Sequence, residues 1–113
     1  MPYGTAHANA VLDDINSTLT MKLMTADSGG TGANEVTGGS YSAQSAIFGS
    51  AASKQNTNTN IVTFDGLPAA TITHMELVDG STVIWYGPLS SSFTVGAGQS
   101  IKFNPGEITN SLT

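Results

Sequence analysis

The sequence predicts an all-β protein: an antiparallel β-sandwich of about eight short strands, preceded by a short N-terminal helix. Three observations lead to this fold class: short stretches in which apolar and polar residues alternate, turn residues about every 8–15 positions, and one helical pattern near the start of the chain. Regularly spaced short strands are typical of a sandwich or a small barrel. With 113 residues and neither repeat nor linker, we expect one domain over residues 1–113, with a helical arm at about 1–16.

The helical pattern lies in the N-terminal arm. Thr5 stands where a helix cap is expected, and the residues after it carry a single apolar face. This face is formed by residues at i, i+3, i+4 and i+7, which are Ala8, Val11, Leu12 and Ile15. A helix this short needs a surface on which its apolar face can pack.

The rest of the chain alternates with a period of two. In the first stretch Leu19, Met21 and Leu23 alternate with polar residues, as in a half-buried strand. Asp79-Gly80 predicts a tight hairpin and Asn104-Pro105-Gly106 predicts a turn. The predicted strands are TLTMKLM, SYSAQSAIFG, NIVTFDG, TITHMELVDG, STVIWYGP, SFTV, SIKF and EITNSL.

Two segments are predicted to be loops. Residues 50–60, SAASKQNTNTN, are polar and low in complexity, so we expect an exposed loop. Residues 27–41, DSGGTGANEVTGGSY, hold five glycines but no lysine, and strand rather than helix follows, which disfavours a phosphate-binding loop. The calcium loop of an EF-hand does not match either. We expect a flexible connection, and leave open whether residues 27–39 bind a metal or a sugar.

Charge excludes several classes of partner. The formal net charge is −5, with three lysines and no arginine, so the chain lacks the basic footprint that nucleic acids and anionic membranes require. No apolar run approaches the ~20 residues of a spanning helix, and no signal peptide is evident. Because there is no cysteine, disulfides and thiolate metal sites are excluded.

Uncharged polar residues dominate the composition. Ser, Thr, Asn and Gly make up 49 of the 113 residues, whereas 11 are charged. A hydroxyl-rich surface suits a protein that neighbouring subunits cover, because buried hydroxyls cost less than buried charges. A low-charge β protein in ordinary contact with solvent has the same composition, so both interpretations stand.

No set of residues assembles a predicted active site. His74 and Glu76 are two apart on one strand and could carry acid–base chemistry or hold a metal, but we expect them to be ordinary polar residues facing solvent. The chain has no Gly-x-Ser-x-Gly motif. We therefore expect no enzyme, cofactor or metal. Trp85 and Tyr86 should lie on opposite faces, one anchoring the core and the other exposed.

Four stretches carry a resemblance to a known family. TLTMKLMTAD, GANEVTGGSYSAQ…FG, ITHMELVDGSTVIWYGPL and FTVGAGQSIKFNPGEI resemble short β-rich virion proteins of tailed bacteriophages, which have tail-fibre-like, minor capsid or head-decoration names. The match covers nearly the whole chain. Members of the family often have a basic residue near the position of Gln44 and a proline at the position of Ser28, and both are absent here. The shared elements are Thr25-Ala26-Asp27, Glu35–Tyr41, Trp85-Tyr86-Gly87-Pro88 and Asn104-Pro105-Gly106.

The resemblance implies a β-sandwich with a structural place in the virion. We expect a capsid decoration (cement) protein that binds the major capsid protein on the outside of the assembled head and stabilises it, after synthesis in the bacterial host cytoplasm. Alternatives are a tail or tail-fibre-associated module and a carbohydrate-binding module that uses the aromatic pair. Self-association, as a trimer or another symmetric oligomer, is expected. The expected contact residues are Tyr3, Val11, Leu12 and Tyr86.

Overall fold

The computed structural model describes residues 4–15 and 18–111 and confirms the predicted fold class, a mostly β protein with one short helix. All strand pairs are antiparallel. In chain order the elements are α1 (Thr5–Asp14), β1 (Thr18–Met24), β2 (Gln44–Ile47), β3 (Gln55–Thr57), β4 (Val62–Leu67), β5 (Ala70–Asp79), β6 (Thr82–Val95), β7 (Gln99–Phe103) and β8 (Thr109–Ser111).

A four-stranded sheet in the order β2-β1-β5-β6 forms one layer of the sandwich. The pairs β4-β7 and β3-β8 form the other side. In the large sheet Met21 lies opposite Leu77, which lies opposite Trp85. The same register places Lys22, Glu76 and Tyr86 side by side on the other face of this sheet, because successive residues of a strand point to opposite faces.

The hydrophobic core lies between the large sheet and β4-β7. Leu23 and Leu77 from the sheet and Phe64 from β4 are at most 1% exposed. Phe64 stacks on Tyr41 at 6.1 Å and meets Phe103 edge-on at 6.3 Å between ring centroids. Burying side chains of this size contributes about 1.5–3 kcal/mol each, so this aromatic group is a main source of stability.

The helix forms where its apolar pattern predicts it, but it is capped differently. Gly4 is the N-cap residue and makes no side-chain hydrogen bond, and Thr5 is already inside the helix, so the prediction of a Thr5 cap is wrong. The helix is held by its own chain. Lys54 N donates to Asn9 Oδ1 at 2.9 Å and Ala51 N donates to Asp13 Oδ1 at 2.8 Å. Its polar side chains therefore tie it to the segment before β3.

The prediction of an exposed loop over residues 50–60 is wrong in part. This segment contains β3, and Asn58 within it is only 2% exposed. The Asn58 side chain accepts from Ile108 N at 2.9 Å and donates to Asn60 O and Asn104 O. An amide can be buried when its donors and acceptors are matched, which is why a polar sequence here is compatible with an interior position.

One further difference from the prediction concerns where strands begin and end in the C-terminal half of the chain. The predicted strands at 81–88 and 92–95 are a single strand, β6, which continues through the serine run at 90–92. Its pairing with β5 is interrupted by register shifts between Ile72 and His74 and between Leu77 and Val78.

Within the described part of the chain, no helix has the length and hydropathy needed to cross a membrane.

Candidate functional site

The glycine-rich segment covers the outer face of the large sheet. We call residues 27–35 the glycine loop. It leaves β1 at its C-terminal end and returns to it, where Thr25 N donates to Asn34 O at 3.0 Å and Val36 N donates to Leu23 O at 2.9 Å. The loop is thereby closed at its base and placed over the strand positions next to β1.

Glu76 is the residue on which the glycine loop is fixed. Its side chain is 0% exposed. Oε2 accepts hydrogen bonds from Ser28 Oγ and from Gly32 N, the latter at 2.9 Å, while Oε1 is buried without a partner among the described residues. The expectation that Glu76 faces solvent is therefore wrong: the loop, 44 or more residues away along the chain, covers it.

Internal hydrogen bonds give the glycine loop a defined shape. Gly29 N donates to Asp27 Oδ1 at 2.9 Å, Gly30 N donates to Ser28 Oγ at 3.2 Å, and Thr31 Oγ1 donates to Ser28 O at 2.7 Å. Gly29, Gly30 and Gly32 all have positive φ, a region that side chains with a Cβ disfavour. The glycines thus serve a folded loop, and the expectation of a flexible connection is wrong.

The two neighbouring aromatic residues of β6 have opposite surroundings, as the alternation predicts. Trp85 packs against the core, and its Nε1 is buried without a hydrogen-bond partner in the described structure. Tyr86 is 55% exposed. One side of its ring lies against the glycine loop, because a Cβ at Gly30 would come within 2.9 Å of Tyr86 Cε1.

Tyr41 links the far end of the loop to β1. Its hydroxyl accepts from Leu23 N at 3.1 Å and donates to Glu35 Oε2 at 2.7 Å. Burial raises the pKa of the Tyr41 phenol above its usual value; the Leu23 hydrogen bond lowers it, and Glu35 raises it further. Lys22 lies 3.9 Å from the other oxygen of Glu35. Tyr41, Glu35 and Lys22 together connect the end of the glycine loop to the sheet.

The candidate catalytic pair does not form a site. His74 Nδ1 shares a 2.7 Å hydrogen bond with Thr73 Oγ1, and Glu76 is engaged by the glycine loop. No group of three or more His, Cys, Asp or Glu side chains suited to a metal ion occurs among residues 4–15 and 18–111. The carboxylate of Glu76 is therefore engaged in holding the glycine loop on the sheet.

The open region of the molecule runs along β6. Three adjoining depressions, of about 180, 400 and 620 Å³, follow this strand and separate it from β7 and β8. We call them together the β6 groove. Its walls are both apolar and polar, and its apolar side chains include Met75, Trp85, Leu89, Phe93, Phe103 and Ile108.

The structure places the four predicted contact residues in different surroundings. Tyr3 lies outside the described residues. Val11 is half-buried and Leu12 is 1% exposed, so within this chain the Leu12 side chain is already covered. Tyr86 is exposed beside the glycine loop. The roles of these residues in binding a partner stay predictions. Of Val11, Leu12 and Tyr86, Tyr86 has the most accessible side chain.

The sequence reasoning missed the buried Glu76 and the β6 groove. The only available signal for Glu76 was a carboxylate in the middle of a strand whose other residues are mostly apolar or hydroxylic. For the groove the signal was the absence of charge over the fourteen residues of β6, which include five large apolar or aromatic residues. The first signal does not show that the glycine loop covers Glu76, and the second does not show that the groove along β6 stays open.

Comparison with known proteins gives one family. The profile of a family described as podophage GP4 fiber I protein gp80 matches residues 5–111, which is nearly the whole chain. A search of the curated proteins finds no significant match.

Proposed function

The chain belongs to the family of the podophage GP4 fiber I protein gp80, and from that membership we propose that it is a non-enzymatic building element of a tail fibre. It is a structural protein of a tailed-phage virion. The single observation that carries the fibre assignment is the family match, which extends over both the helix and all eight strands.

The chemistry of the described residues supports a structural role. Glu76, the one buried carboxylate among residues 4–15 and 18–111, holds a loop, and His74 is hydrogen-bonded to a neighbouring threonine. The surface is poor in charge, with 10% charged residues in the whole sequence. Surfaces of hydroxyls and amides lose less solvation when subunits cover them than charged surfaces do, which suits repeated contacts inside a particle.

The proposed partners are other virion proteins and further copies of this chain. Virion fibres and heads are built from symmetric assemblies, in which one surface is used many times. Capsid decoration, with binding to the major capsid protein on the outside of the head, is the second location that we consider, because the low-charge surface supports it equally. A sugar-binding role would rest chiefly on Tyr86, since Trp85 packs on the core.

Location in the particle tests the proposal directly. Virions of the source phage are disrupted, heads and tails are separated by gradient centrifugation, and the chain is detected by antibody and by immunogold labelling of intact particles. We expect label on fibres and recovery with tails. Label on the head surface would support capsid decoration instead, and absence from purified virions would overturn both structural assignments.

A binding experiment separates the two locations further. The purified chain is co-sedimented with empty expanded heads, empty unexpanded heads and isolated tails from the same phage. The fibre assignment predicts saturable binding to tails alone. Saturable binding to expanded heads, together with a raised melting temperature of the shell, would establish the cement role, because a ligand that binds only the assembled state stabilises it.

A further inference from the structure

We propose that a depression at the end of α1 receives an arginine side chain from another protein of the virion. The depression has a volume of about 300 Å³ and lies between the last turn of the helix, residues 48–50 after β2, and Asn56 of β3. We call it the α1 pocket. The inference rests on the proposed function, since it takes the partner to be a virion protein, and it deepens that function by naming the chemistry of the contact.

The first observation is a buried oxygen that lacks a hydrogen bond. Asn56 lines the α1 pocket and is only 9% exposed, and its Oδ1 is buried with no partner within the described part of the chain. Buried polar atoms are nearly always paired, because an unpaired one loses its hydration without compensation. Asn58, two residues further along, shows the usual arrangement, with hydrogen bonds at both ends of its amide. An N–H donor entering the α1 pocket would supply what Asn56 Oδ1 lacks.

The second observation is uncompensated negative charge at the same place. Asp13 lines the pocket and Asp14 follows it, and both are exposed at the C-terminal end of α1, where the helix carbonyls already give a negative potential. The last turn has no basic residue, and neither aspartate forms an ion pair within residues 4–15 and 18–111. Asp13 Oδ1 accepts from Ala51 N, which leaves the other carboxylate oxygen for a second donor. The charge here favours a cation.

The walls of the α1 pocket indicate which kind of cation fits. Leu12, Ile15 and Phe48 form its apolar part, which suits the methylene stem of a long basic side chain. A guanidinium carries five N–H donors in one plane, so it can donate to two oxygens at once, such as those of Asp13 and Asn56. An ammonium group is a compact point charge and matches such a pair less well. Apolar walls, a carboxylate and an unpaired amide oxygen together fit arginine.

The arginine comes from a different protein, because this chain has none. Its three lysines are Lys22, Lys54 and Lys102, and Lys22 is already paired with Glu35. Each copy carries a net charge of −5, so two copies repel each other, whereas a basic partner surface is attracted. The α1 pocket is therefore assigned to a contact between this chain and an arginine-bearing virion protein, separate from any contact between copies.

A small probe tests the pocket on the purified chain. N-acetyl-arginine amide is titrated into ¹⁵N-labelled protein, and the side-chain amide signals of Asn56 are followed by NMR. We expect saturable shifts with a Kd in the millimolar range, as befits a single side chain. N-acetyl-citrulline amide has nearly the same shape without the charge and should bind about tenfold more weakly.

Matched variants locate the binding. Asp13→Asn removes the charge but keeps an acceptor for Ala51 N, and it should weaken arginine binding about tenfold. Asp65→Asn removes the same charge from the exposed Asp65 of β4 and should change nothing. Equal binding of the citrulline or lysine amide, or an affinity that Asp13→Asn leaves unchanged, would overturn the proposal. Tighter arginine binding by Lys54→Ala would overturn it too, since Lys54 of the chain itself would then be the occupant.

The absence of arginine from this chain permits a test on the particle. Isolated tails are treated with phenylglyoxal, which modifies arginine side chains, and are then co-sedimented with the untreated chain. We expect the treatment and Asp13→Asn each to weaken binding to tails about tenfold, and Asp65→Asn to leave it unchanged. Binding that survives both changes would overturn the proposal. A parent chain that binds no untreated tails would overturn the fibre assignment alone, because the NMR titration decides the pocket independently. Circular dichroism checks that each variant is folded.

Discussion

The neighbouring strands β5 and β6 bury their side chains in opposite ways. On β5 even the carboxylate of Glu76 is 0% exposed, whereas on β6 the large apolar residues Trp85, Leu89 and Phe93 are only partly covered. The difference follows from position: β5 has a strand on each side and the glycine loop above it, while β6 has one strand partner in the described part of the chain and an open groove beside it. In this protein, place in the sheet decides burial more than side-chain polarity does.

The contrast also separates two uses of polar residues. Around Glu76 they form internal hydrogen bonds that fix a loop, and each substitution there should change stability. Along β6 the hydroxyls of the serine run remain exposed to solvent, and substitutions there should change stability little. The predictions that follow break or sharpen this contrast.

The largest effect is expected from a pair of leucine truncations. Leu77→Ala on β5 removes a fully buried side chain and should lower the free energy of unfolding by about 2–5 kcal/mol, because it leaves a cavity. Leu89→Ala on β6 removes a half-exposed one and should cost about 1 kcal/mol in the monomer. Urea unfolding at low protein concentration measures both. Equal losses would mean that the edge of β6 is as well packed as the sheet interior.

The next effect concerns the anchor of the glycine loop. Glu76→Ala leaves Ser28 Oγ and Gly32 N without their acceptor and should lower the free energy of unfolding by about 2–3 kcal/mol. Glu76→Gln, the matched control, keeps an acceptor oxygen and should lose about half as much. Thermal unfolding and hydrogen exchange at Gly32 report the result. Unchanged exchange at Gly32 in Glu76→Ala would show that the loop holds its shape without this carboxylate.

Two adjacent glycines of the loop, Gly29 and Gly30, allow a smaller effect on stability to be compared with a control at the neighbouring position. Gly30→Ala forces a Cβ into contact with Tyr86 in addition to the strain of its positive φ, whereas Gly29→Ala, also at positive φ, meets nothing within 4 Å. We expect each to lower the free energy of unfolding by about 1 kcal/mol from strain, with a further loss of about 1 kcal/mol for Gly30→Ala. Combining Gly30→Ala with Tyr86→Ala should remove the extra loss. If it does not, the Tyr86 ring is not what limits the space at Gly30.

The sequence predicts the strands well because alternation is a local signal. β1 and β7 lie where LTMKL and SIKF alternate, and the Asp79-Gly80 turn joins β5 to β6 as expected. Alternation fails across register shifts. It predicts one face for Ile72 and Glu76, but Ile72 packs in the core and Glu76 lies beneath the loop, on either side of the shift between Ile72 and His74. Such shifts depend on pairing with a distant strand and leave no local mark.

The candidate sites are less predictable for a related reason. Alternation indicates which face a residue occupies, but it does not tell whether a loop covers that face, so Glu76 was expected in solvent. The Asn58 amide was likewise expected in an exposed loop, because its partners Ile108 and Asn104 are more than 45 residues away. The glycines predict a connecting loop at this position, but not the acceptor toward which the loop folds.

The smallest effect extends the contrast to the tyrosines, buried Tyr41 and exposed Tyr86. Burial raises the pKa of Tyr41 in the folded chain above the unfolded value of about 10, so its stabilising contribution is present below pH 10 and is lost as pH rises further. Tyr41→Phe removes two hydrogen bonds and should lower the free energy of unfolding by about 1 kcal/mol near neutral pH. Above pH 10 the gap between the parent chain and Tyr41→Phe should narrow, since only the parent must keep this phenol protonated to stay folded. Tyr86→Phe is the matched control, and denaturant titrations from pH 7 to 11 measure the free energy of unfolding of all three chains. If the difference between the parent chain and Tyr41→Phe stays constant or widens, the phenol can ionise within the fold. The contact between loop and sheet would then open more easily than the burial of Tyr41 indicates.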